Sequence, residues 1–125
     1  MFVDIERKYL YNPDLELSSD NGSLTQYSTK DKANLISSET NAGCHLPVLD
    51  IDYSAELVPS TTPGHFHLYL NKPVSWAKYE NVLKALSEAG LIEEGFYRNS
   101  VKRQATYVRP VGVKKTNFYR SSDQF

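Results

Sequence analysis

Two aspartates and two histidines are the residues of this sequence best suited to chemistry. Asp50 and Asp52 stand two positions apart in LPVLDIDY, and His65 and His67 stand two apart in TPGHFHLYL. On a β-strand, side chains two apart point to one face, so each pair presents two donors together. If the two stretches are neighbouring strands in register, the four side chains converge. Two carboxylates and two imidazoles make a divalent-metal site: carboxylate oxygens favour Mg²⁺ or Mn²⁺, and added imidazole shifts the balance towards Mn²⁺ or Zn²⁺. Such a metal polarises a phosphate oxygen, which is the chemistry of phosphodiester or nucleotidyl transfer. The four residues are therefore candidate metal ligands and candidate catalytic groups. The alternative stays open at this point: Asp-x-Asp is common at strand ends and turns, and paired histidines are common on exposed sheets.

The elements that must position these residues begin near His45. Leu49, Ile51 and Tyr53 alternate with Leu46, Val48, Asp50 and Asp52, and Phe66, Leu68 and Leu70 alternate with His65, His67 and Tyr69. This spacing predicts two strands joined by a Pro/Gly-rich connection. A helix follows, capped by Ser75 and ended at Gly90. Its stripe is Trp76, Tyr79, Val82, Leu83, Leu86 and Ala89. A further strand is expected over Gln104–Arg109, closed by Pro110, with Tyr107 and Arg109 on the Asp/His side. The fold class read from this order is α+β: a small antiparallel sheet with a β-β-α-β core, ferredoxin-like or a truncated relative, and one amphipathic helix covering the Leu49/Ile51 and Phe66/Leu68/Leu70 face. A fourth strand is expected from residues 1–11 or from Val111–Lys115.

The remaining segments are assigned by composition. Residues 1–17 read as a strand and a turn at Asn12-Pro13. Residues 18–43 are rich in Ser, Thr, Asn, Asp and Gly and read as a polar loop or docking arm. The core domain is expected over 44–115 and a basic, aromatic tail over 116–125. The 125 residues carry a net charge of -1, but residues 1–95 hold a balance of about -7 and residues 96–125 about +6. Lys102, Arg103, Arg109, Lys114 and Lys115, interleaved with Tyr107, are candidate nucleic-acid contacts, since cations attract phosphate and aromatic rings stack on bases. The competing reading is a solvated basic end.

A single cysteine, Cys44, excludes a disulfide framework and a cysteine-based zinc site. The opening residues lack the layout of a signal peptide, and no apolar run reaches membrane length. The expectation is a cytoplasmic protein without membrane partners.

Three resemblances bear on function. Asp50-Ile51-Asp52 followed by Ser60 and His65 or His67 resembles the first two motifs of archaeo-eukaryotic-type primase-polymerases. That resemblance implies metal ligation by the aspartates and phosphate contact by Ser60 with a histidine. The connection is shorter than in that family, and no third acidic motif follows. His65-Phe66-His67 resembles the His-hydrophobic-His motif of rolling-circle endonucleases, which implies Tyr79, with Lys84 five residues on, as nucleophile. Tyr79, however, lies on the apolar stripe of its helix. The run from Leu46 to Gly95 looks like small uncharacterised bacteriophage-type proteins, which implies a phage accessory role. Two functions follow as expectations. One is metal-assisted action on nucleic acid or nucleotides. The other is non-catalytic binding of a host protein or nucleic acid.

Overall fold

In a computed structural model of the chain, residues 4–14 and 25–113 are described. The elements in order are β1 (Arg7–Tyr11), β2 (Gln26–Ser28), β3 (Leu35–Thr40), β4 (Ala55–Pro59), β5 (Phe66–Leu70), α1 (Trp76–Glu88) and α2 (Glu94–Arg103). Small antiparallel sheets and two helices make this an α+β fold. The chain divides into two compact units, Met1–Asp50 and Ile51–Phe125. Among the described residues no helix is long and apolar enough to cross a membrane.

The first unit is a three-stranded sheet in the order β2-β1-β3, all antiparallel. The stretch 25–43, read as part of a loop or docking arm, thus carries two strands. Its strands are short and polar, and polar anchors fix them. Asn12, 5% exposed, exchanges two hydrogen bonds with Asn34: its N–H donates to Asn34 Oδ1 at 2.9 Å, and Asn34 Nδ2 donates to its carbonyl at 2.8 Å. Its own Nδ2 donates to Thr25 Oγ1, and its Oδ1 accepts from the Asp14 N–H, the turn expected at Asn12-Pro13. Thr40, 1% exposed, organises the turn that follows β3. Its hydroxyl donates to the Cys44 carbonyl and accepts from the N–H groups of Ala42 and Cys44. That turn returns the chain along β3, where Leu46 N–H donates to the Ser38 carbonyl and His45 bridges to Glu39. Residues 44–46 therefore belong with this sheet, and the boundary between the compact units falls after Asp50 rather than at the expected start at 44.

In the second unit, β4 and β5 form a hairpin with the register Ala55–Leu70, Leu57–Leu68 and Pro59–Phe66. Helix α1 begins at Ser75, whose Oγ accepts from the Lys78 N–H at 3.3 Å. It ends in a Schellman turn: Leu91 N–H donates to the Leu86 carbonyl, Gly90 N–H to that of Ser87, and Gly90 sits at φ 77°. Both termini are those the sequence predicts. Helix α2 packs on α1. It ends in the same pair of hydrogen bonds, Ala105 to Ser100 and Gln104 to Val101, with Gln104 at φ 55° in the position usually held by glycine.

Three expectations change here. Residues 47–53 form no strand, and neither face of their alternation is covered. Val48 (57%), Leu49 (71%), Ile51 (44%) and Tyr53 (52%) are all exposed. Residues 104–109 form no strand either; α2 occupies the chain to Arg103, and the left-handed Gln104 turns it away. The fourth core element is a helix, so the order is β-β-α-α rather than β-β-α-β. Finally, α1 packs on α2 and leaves the Phe66/Leu68/Leu70 face uncovered.

Candidate functional site

The hairpin has two chemically distinct faces. Across the ladder, Glu56 stands opposite Tyr69 and Val58 opposite His67. One rung on, Ser60 N–H donates to the His65 carbonyl at 2.9 Å, so His65 extends the same face. At the open end, Asn71 donates to Ser54 twice, from its N–H at 3.0 Å and from Nδ2 at 2.7 Å. Lys72 Nζ lies 5.4 Å over the Tyr53 ring beyond them. The polar face is thus Ser54, Glu56, Val58 and Ser60 against Asn71, Tyr69, His67 and His65.

This register separates the residues that the sequence reading gathered. The strand opposite β5 is Ala55–Pro59, inside the stretch read as connection, and the loop shrinks to 60–65. His65 therefore lies at the turn end, while Asp52 precedes Ser54 at the open end. At 3.2–3.4 Å per residue, Ser54 and Ser60 stand about 20 Å apart along β4. Asp50 closes the other compact unit. Among the described residues, no three His, Cys, Asp or Glu side chains gather as a metal ion would require. The structure does bring Ser60 and His65 together as backbone partners. Ser60 Oγ, however, is engaged within the turn, donating to the Thr62 carbonyl and accepting from the Thr62 N–H.

Tyr79 is committed elsewhere. Its hydroxyl lies 2.6 Å from Thr106 Oγ1, which lies 2.9 Å from Ser100 Oγ, and the Trp76 ring meets its ring edge-on at 5.6 Å. This half-buried network ties α1, α2 and the segment after α2 together.

The basic candidates have their own arrangement. Lys102 and Arg103 end α2, and the Arg103 guanidinium lies 5.8 Å over the Tyr107 ring. Arg109 lies in the irregular segment that follows, half-buried, so Tyr107 and Arg109 are not strand residues on a sheet face. Lys114 and Lys115 lie outside the described residues.

On the opposite face the sequence identifies Phe66, Leu68 and Leu70, but not their β4 partners or the exposure of the whole face. Ala55, Leu57 and Pro59 stand against Leu70, Leu68 and Phe66, six positions without an ionisable group. All are exposed: Leu57 62%, Phe66 55%, Leu68 57% and Leu70 50%. The signal was present in the alternation Ala55-Glu56-Leu57-Val58-Pro59, which the flanking Ser, Thr, Pro and Gly residues concealed. Among the described residues β4 and β5 pair only with each other, so both hairpin edges are open as well.

No known protein family, curated protein or solved structure matches the chain.

Proposed function

We propose that this chain is a non-catalytic binding protein whose interaction surface is the outward apolar face of the β4–β5 hairpin. One observation carries the reading: the uncharged face of an amphipathic hairpin is more open to water than its polar face, on which Val58 and His67 are half-buried. A two-stranded hairpin is marginal by itself in water, and burial of its apolar side is what ordinarily stabilises it. A contiguous apolar patch of this kind marks a protein interaction site. The reading takes up the accessory role that the phage-type resemblance implies, with no chemistry at Asp50, Asp52, His65 or His67.

The test places a photo-reactive benzoylphenylalanine at position 66 on the apolar face and, separately, at position 69 on the reverse face. Protein adducts are expected from position 66 in clear excess over position 69. Equal yields, or none from position 66, would sink the reading.

A second reading has its own support, the Arg103 guanidinium lying over the Tyr107 ring beside Lys102. An Arg-aromatic pair next to a further cation suits single-stranded nucleic acid, whose bases stack and whose phosphates are neutralised. Binding of an oligonucleotide that weakens steeply with salt, and is lost in Arg103→Ala with Lys102→Ala, is the expected result; salt-independent binding overturns it.

A further inference from the structure

We infer that the surface seated on this hairpin is the same face of a second copy of the chain, forming a two-fold dimer. The inference rests on the docking reading above and names its occupant. Three observations support a copy. First, the six facing positions carry no ionisable group, so a two-fold operation brings no like charges together. Second, the face is complementary to itself in size. β5 supplies the larger side chains, Phe66, Leu68 and Leu70, and β4 supplies Pro59, Leu57 and Ala55 at the paired positions. A two-fold axis parallel to the strands lays β5 of each copy over β4 of the other. Phe66 then covers Pro59, Leu68 covers Leu57, and Leu70 covers Ala55, large against small at both ends. Two such faces stack about 10 Å apart with their strands nearly aligned. Third, the area is adequate. With about 100 Å² exposed on each of the four large side chains and about half that on Ala55 and Pro59, each copy buries about 500 Å², and the pair reaches the ~1,000 Å² at which specific interfaces begin.

An interface of that size makes a weak, reversible dimer, so the 125-residue chain is followed by sedimentation velocity from about 1 to 500 µM. A concentration-dependent monomer–dimer equilibrium is expected. Leu68→Glu and Leu57→Lys each weaken it by about 100-fold or more, because each seats an unpaired charge on an apolar surface. Tyr69→Glu, on the reverse face, leaves it within about twofold. The decisive arm mixes Leu57→Lys with Leu68→Glu. Position 57 of one copy opposes position 68 of the other, so the mixture regains a heterodimer that neither variant forms alone. Circular dichroism on each variant establishes that it is folded.

A wild-type chain that stays monomeric throughout, or a dimer indifferent to both substitutions, overturns the inference. So does failure of the folded mixture to associate. Maleimide labelling of Leu68→Cys in a Cys44→Ser background then separates the two levels. Fast labelling of a monomer removes only the second copy as occupant. Slow labelling of a monomer shows the face covered by its own chain, and the docking reading falls with it.

Discussion

Asp50, Asp52, His65 and His67 illustrate what spacing can and cannot specify. Spacing of two puts a pair on one face only where a strand exists, and it is silent about which end of a hairpin each pair reaches. His65 and His67 do share a face. Asp52 precedes the hairpin at its open end, because Ala55–Pro59 and not 46–53 pairs with β5, and Asp50 belongs to the other compact unit. Calorimetric titration of Mn²⁺ is therefore expected to give the same heats for wild type and for Asp50→Ala with Asp52→Ala; a metal-dependent heat lost in the variant would restore the metal reading. Asn12 and Thr40 were not legible as anchors, since a polar residue in a polar stretch carries no periodic signal. Their burial and multiple hydrogen bonds identify them. Thr40→Val leaves the Ala42 and Cys44 N–H groups without the hydroxyl and costs about 1–3 kcal/mol, measurable by denaturant unfolding followed by amide exchange at those two groups.

At the scale of elements, legibility followed local chemistry. Helix α1 was readable from end to end because Ser75, the apolar stripe and Gly90 all act within a few residues of the chain they shape. β5 was readable because Phe66, Leu68 and Leu70 alternate without interruption. β2 and β3 were hidden, because three and six mostly polar residues gain their strand character only by pairing with β1. Most of α2 was hidden for a related reason: it lacks a side-chain N-cap and ends on Gln104 rather than glycine. That last feature makes a prediction. A non-glycine residue in the left-handed region is strained, so Gln104→Gly raises stability by about 0.5–1 kcal/mol, while Gly90→Ala lowers it by about 1 kcal/mol. Thermal melts of the two variants, followed by helix ellipticity, should move in opposite directions. Tyr79→Phe, which removes the bond to Thr106, costs about 1 kcal/mol and reports how far the network joining α1, α2 and Thr106 contributes.

For the molecule as a whole, the α+β class was legible in the sequence but the packing was not. Hydrophobic periodicity indicates that a face exists; it does not say which surface will cover it. The hairpin face expected under α1 looks outward, and the helices close on one another instead. Association should therefore stabilise the fold by mass action, with the melting temperature rising as protein concentration rises; the trend should vanish in Leu68→Glu. A further consequence lies in what the described interior contains. Leu83 is the single buried apolar residue among the described residues, beside Asn12, Thr40 and Ser100. Heat capacity on unfolding tracks the apolar surface newly wetted, and polar surface subtracts from it. The dissociated chain should thus show a small increment, and its free energy of unfolding should vary with temperature with little curvature. Its unfolding should also be broad rather than sharp, and cold should do it little harm. The associated form, with its leucines and Phe66 sheltered, should recover a larger increment and a more curved dependence. A calorimetric scan at two concentrations would then distinguish the two states by curvature alone.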